Sequence, residues 1–214
     1  MSHSVLSFHR TSALCAAMLA AAGPAFAATY QPSTDPVFKK MLALNHDLGS
    51  YTAHIDVKTR VNILSFSLHG TLYAKGTRTK VQFDNIPGIA KSSVENQPSV
   101  SAPSTWPADY EMSIAVRDAT TTIYHLVPHA ADSPVTSVDV TVANASGLVQ
   151  RYLWTNVNGS TIASDQTYAS IDGHELPIGS STEVRGKGIN SKSQTTFSNY
   201  QLNVDVPDAV FAHP

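Results

Sequence analysis

Residues 51–72 read YTAHIDVKTRVNILSFSLHGTL. In the first part, Tyr51, Ala53, Ile55 and Val57 alternate with Thr52, His54, Asp56 and Lys58. In the second, Leu64, Phe66, Leu68, Gly70 and Leu72 alternate with Ser65, Ser67, His69 and Thr71. A period of two puts successive side chains on opposite faces of a strand. The same period returns in Val138, Val140 and Val142, and again in Tyr200, Leu202, Val204 and Val206. Repeated this often, it predicts long antiparallel strands with one apolar and one wet face. Turn residues divide the second half at Asn144-Ala145-Ser146-Gly147, Asn158-Gly159, Asp172-Gly173 and Gly186-Lys187-Gly188. Asn-Gly between strand-like runs is a strong hairpin signal, so this half reads as a meander. About ten strands are expected in all.

The composition agrees. Of 214 residues, 42% are hydrophobic but only 14% are charged, against about 25% in an ordinary domain. Thr- and Ser-rich strand faces supply solvation without ionising. With 14 basic and 16 acidic residues the net charge is −2, which argues against nucleic-acid binding. Normal apolar content with little charge also argues against disorder.

The first 27 residues read as a secretory signal peptide. Arg10 is their one charge, an apolar run follows from Ala13 to Ala22, and Ala25-Phe26-Ala27 fits the small-x-small cleavage rule. The run is too short for the ~20 residues that span a bilayer. Removing 27 of 214 residues leaves a single domain of 187, residues 28–214, with 13 basic and 16 acidic residues. Cys15, the one cysteine, leaves with the signal. No disulfide then supports the fold, and no transmembrane segment remains. In a bacterial chain the expected compartment is the periplasm.

One helix stands out. Asp35-Pro36 is an N-cap with proline at the first helical position. Val37, Phe38, Met41, Leu42, Leu44 and Leu48 then form an apolar face, and Gly49 is a natural stop. A helix over 36–48 is expected. From Asn85 to Pro107 the chain carries four prolines and a Ser-rich filling, and neither helix nor strand fits. One curved sheet with one main helix needs a layered architecture. It is either a closed barrel or a half-open sheet around a helix and loop.

The second half carries Ser146-Gly147-Leu148-Val149-Gln150-Arg151, Ile171-Asp172-Gly173-His174-Glu175-Leu176-Pro177, and Phe197-Ser198-Asn199-Tyr200-Gln201-Leu202-Asn203 followed by Val206-Pro207-Asp208 and Phe211. In these segments the chain resembles the LolA-like outer-membrane lipoprotein-sorting proteins. The order of the N-terminal helix, Ser50-Tyr51-Thr52-Ala53 and a strand ending Gly70-Thr71-Leu72-Tyr73 is also similar. The resemblance implies a LolA/LolB-like, half-open antiparallel β-barrel of about eleven strands, closed by helices. It also implies a carrier of lipoprotein acyl chains with neither cofactor nor catalysis. Relatives with this fold serve as receptors and envelope-stress sensors, so fold does not by itself choose the role.

Catalytic patterns are missing. There is no G-x-S-x-G elbow and, after Cys15 is removed, no thiol nucleophile. His46, His54, His69, His125, His129, His174 and His213 form no H-E-x-x-H, and His125 and His129 lie about 13 Å apart along one strand. Asp109 with Glu111, and Asp172 with Glu175, sit at turn and strand-edge positions. Arg185-Gly186-Lys187-Gly188 lacks the P-loop spacing and reads as a hairpin tip. No metal or cofactor is expected.

What remains is an apolar interior. Ile55, Val57, Leu64, Phe66, Leu68, Leu72, Val138, Val140 and Val142 line a ligand cavity on one reading. Phe38, Met41 and Leu42 of the helix, with Ile86 and Ile89 of the Pro-rich loop, form its lid. On the other reading the same residues pack the core against the helix. The first makes the protein a carrier for a lipid or acylated protein, handed between envelope donors and acceptors. The second leaves an envelope structural, sensor or interaction module.

Overall fold

The alternation becomes pairing. In a computed structural model, residues 30–84, 86, 102–186 and 188–212 are described. The segment 1–27, most of the Pro-rich stretch and Ile89 lie outside them. Ten strands follow in chain order. These are β1 (Ser50–Val61), β2 (Leu64–Lys75), β3 (Arg78–Phe83), β4 (Tyr110–Arg117), β5 (Thr121–Pro128), β6 (Val135–Ala143), β7 (Val149–Asn156), β8 (Thr161–Ile171), β9 (His174–Gly186) and β10 (Ile189–Leu202). They form one antiparallel sheet in the order β3-β2-β1-β10-β9-β8-β7-β6-β5-β4. Among the described residues the count of ten matches the alternation and is close to the about eleven that the resemblance implies.

From β4 to β10 every strand pairs with its successor, a pure meander. β10 then returns to pair with β1 from Tyr51↔Leu202 to Val61↔Ser191. The two edges, β3 and β4, are therefore consecutive in the chain, and the Pro-rich stretch connects them.

Helix α1 (Pro36–Ala43) covers one face. Asp35 accepts hydrogen bonds from the backbone N–H groups of Val37 (2.9 Å) and Phe38 (3.3 Å), satisfying donors a helix start otherwise strands. The helix ends five residues earlier than the expected Leu48. Asn45 adopts the left-handed conformation (φ 52°). Its amide brackets the backbone of Glu175 on β9, donating to the carbonyl (2.8 Å) and accepting from the N–H (2.9 Å). This long-range clamp overrides the helical period, and Leu42 is left exposed.

Val37, Phe38 and Met41 of α1 pack with Trp106, Tyr124, Leu126, Val138, Val140, Val142, Val149 and Trp154. Trp106 opens a single-turn helix, α2 (Trp106–Asp109), and is fully buried. Its ring lies 6.1 Å from that of Phe38, which stands edge-on to Tyr124 at 6.0 Å. The core is thus concentrated over β5–β7. On the β2–β3 side, Lys75 and Arg78 pair with Asp208, and Arg78 lies over the Phe211 ring (4.7 Å).

Candidate ligand-binding face

Antiparallel partners share a face, so the register allows the α1-covered face to be read row by row across the sheet. One row runs Ile114–Tyr124–Val140–Tyr152–Ser164–Thr182–Ser193–Thr59–Phe66. Its neighbours run Met112–Leu126–Val138–Trp154–Ile162–Val184–Ser191–Val61–Leu64, and Gln166–Ser180–Thr195–Val57–Leu68. The inner face is therefore apolar on both flanks, and in the middle, over β8–β10, it carries hydroxyls beside Ile162 and Val184. No residue in these rows is charged.

This departs from the expectation that Ser and Thr face outward around a wholly apolar interior. Several of the central polar groups bond to one another. Ser164 Oγ lies 2.9 Å from Thr182 Oγ1, Gln166 Nε2 donates to Ser164 Oγ (2.9 Å), and Thr59 pairs with Ser193. Each of these groups has a side-chain partner across or along the sheet. Aromatic residues frame the patch. Tyr152 stacks on Trp154 with ring centroids 5.2 Å apart, and Tyr51 lies 5.8 Å from Tyr200. Burial pushes the Tyr152 hydroxyl up to about 12, and Tyr51, Tyr168 and Tyr200 rise for the same reason. All four are neutral at physiological pH.

The anticipated cavity residues divide between the flanks. Val138, Val140 and Val142 lie in the packed core beneath α1. Ile55, Leu68 and Leu72 are buried on β1–β2, Val57 and Phe66 are half-buried, and Leu64 is exposed beside the hairpin tip. Of the lid residues, Phe38 and Met41 are buried in the core, Leu42 is exposed, and Ile86 is half-buried. Sequence reasoning missed the central hydroxyl patch. Alternation in β8 and β10 is weak because both faces are polar, and only pairing with β7 and β1 reveals which face turns inward.

A groove of about 570 Å³ opens at the rim where α2 and β4 meet the β5–β6 connection. Pro128, His129, Pro134 and Val135 form its walls, and it reaches Val138 and Trp154. It borders the apolar flank of the inner face at these two residues, which belong to the core beneath α1. A meander closed back through β10–β1, left open between β3 and β4 and plugged by one helix, is a distinctive topology. The chain has the LolA-like fold.

Three solved structures carry that conclusion. A LolA superfamily protein from Nitrosomonas europaea matches with a TM-score of 0.61 and 14% identity, over 83% of this chain and 96% of the other. A domain assigned to the outer membrane lipoprotein-sorting proteins, from Vibrio parahaemolyticus, gives 0.66 and 10%, over 85% and 97%. A DUF1329 family protein from Desulfovibrio piger gives 0.60 and 14%, over 84% and 98%. No family model and no curated protein matches the sequence. At these identities the likeness is one of fold, and it agrees with the resemblance read from the strand and turn motifs.

Proposed function

We propose that this protein is a non-catalytic periplasmic carrier for the acyl chains of lipoproteins or a similar lipid, received from one envelope partner and released to another. The single observation that carries this reading is the rim groove, which leads through Val135 and Val138 to Trp154 in a LolA-like sheet. Burying an acyl chain contributes about 0.8 kcal/mol per CH₂, so binding needs no charged anchor. Ser164 with Thr182 and Gln166, and Ser193 with Thr59, are already hydrogen-bonded, so a chain crossing these groups leaves them partnered and lowers the desolvation cost. Mixed apolar and hydroxyl lining holds a chain less tightly than a fully apolar one, which suits a carrier that must release its cargo.

Displacement of a fluorescent fatty acid tests this directly. Saturable one-to-one binding is expected, weakened at least tenfold in Val135→Glu, which puts a charge on the groove wall. Leu68→Glu probes the opposite flank, and its loss of binding, with the thermal transition retained, extends the site across the sheet. The absence of saturable binding by the wild-type chain contradicts the carrier reading and favours an interaction module.

A further inference from the structure

The outer face of β1–β2 carries a second cluster of chemistry-bearing groups. His54 and Asp56 are two apart on β1 and so share the face opposite the buried Ile55. The register places His69 of β2 directly across from Asp56. His69 Nδ1 is hydrogen-bonded to Asp56 Oδ1, and His54 Nε2 lies 3.4 Å from Asp56 Oδ2. The two imidazoles are nearly parallel, at 13° with centroids 6.5 Å apart. One ligand atom from each residue lies within 4.8 Å of the others. Among the described residues this is the one group of three such side chains so placed.

We propose that His54, Asp56 and His69 form a binding site for a first-row divalent cation of the zinc type. Two imidazoles and a carboxylate suit such ions. Bond lengths of about 2.0–2.2 Å put ligand atoms about 3.4 Å apart around a tetrahedral ion, so the three groups reach it by small rotamer changes. All three side chains are more than a third exposed, which leaves room to adjust and lets water complete the coordination. The ion replaces the His69–Asp56 hydrogen bond and ties β1 to β2. Across β5–β6, His125 Nδ1 meets Asp139 Oδ1 at 2.6 Å without a second histidine, and so provides an internal control. The site lies on the face away from the rim groove and stands independently of the carrier reading.

Calorimetric titration of the untagged full chain with zinc chloride decides it. One ion per chain is expected, with affinity reduced at least about tenfold, the scale of losing even an outer-shell partner, in each of His54→Gln and His69→Gln. His125→Gln is expected to bind as the wild type does. All three positions are exposed enough that folding is preserved, which the thermal transition verifies. No one-to-one binding, or binding that survives both substitutions or is lost in His125→Gln, overturns the proposal.

Discussion

Asp35 ties the start of α1 to Tyr30 and to Arg117 of β4. Its carboxylate caps α1, accepts from the Tyr30 hydroxyl (3.0 Å) and pairs with Arg117 Nη2 (2.6 Å). Burial alone pushes its pKa up. The Arg117 guanidinium, with hydrogen bonds from Phe38, Tyr30 and Val37, outweighs burial and holds the carboxyl below its ordinary value. Asp35→Ala loses a cap worth about 1 kcal/mol and removes the carboxylate partner of Arg117. The ion-pair contribution is smaller than for a fully buried pair, because the Arg117 side chain is 36% exposed and water screens it. The expected total is about 2–3 kcal/mol, measured by urea unfolding at pH 7. A carboxyl with a lowered native pKa contributes stability that is fully present above its unfolded value near 4 and lost as pH falls through the native value. The difference between wild type and Asp35→Ala should therefore be largest at neutral pH and shrink in acid. A difference that grows on acidification contradicts this assignment.

At the scale of elements, the docking of α1 on the β6–β7 turn decides how the core closes. Gly147 has φ +78°, and a Cβ there would lie 2.8 Å from the Met41 backbone nitrogen and 3.0 Å from Lys40 Cβ. Lys40 Nζ also donates to the carbonyls of Asn144 (2.9 Å) and Ala145 (3.3 Å). Gly147→Ala combines left-handed strain of about 1–2 kcal/mol with overpacking of about 1–3 kcal/mol. Gly159 has nearly the same φ, +79°, with nothing within 4 Å of the added atom, so Gly159→Ala pays the strain alone. Thermal melts should show Gly147→Ala lowering the transition distinctly more than Gly159→Ala, and equal shifts refute the tight docking. Much of this level was legible beforehand. Asp35-Pro36 marked the helix start, and Asn158-Gly159, Asp172-Gly173 and Gly186–Gly188 marked hairpins now seen between β7 and β10. The helix end was not legible, because Asn45 stops it through Glu175, 130 residues away. The His54–Asp56–His69 cluster was within reach. A two-residue turn at Asn62-Ile63 pairs Val61 with Leu64 and, counting back, Asp56 with His69.

Across the whole molecule, the sheet's two apolar flanks have different fates. Over β5–β7, α1 and Trp106 fill the inner face with a packed core. Over β8–β10 the face carries mostly hydroxyls, with Ile162 and Val184 among them, and the β1–β2 flank resumes the apolar pattern. Alternation in the sequence shows that a face is apolar, but not whether a helix or a ligand covers it. That distinction depends on where α1 stops and on which side of a Ser- and Thr-rich strand turns inward, and both are long-range facts. The low charge of the chain is accounted for by hydroxyls on both faces of the central strands. As a carrier, the protein must admit an acyl chain through the rim groove to the inner face. Photocrosslinking with a diazirine-bearing fatty acid, mapped by peptide mass spectrometry, tests it most directly. Labelling concentrated between Pro128 and Val138 and at Trp154, suppressed by excess unlabelled fatty acid, is the predicted result. Labelling confined to the outer face, or unaffected by the competitor, would contradict it.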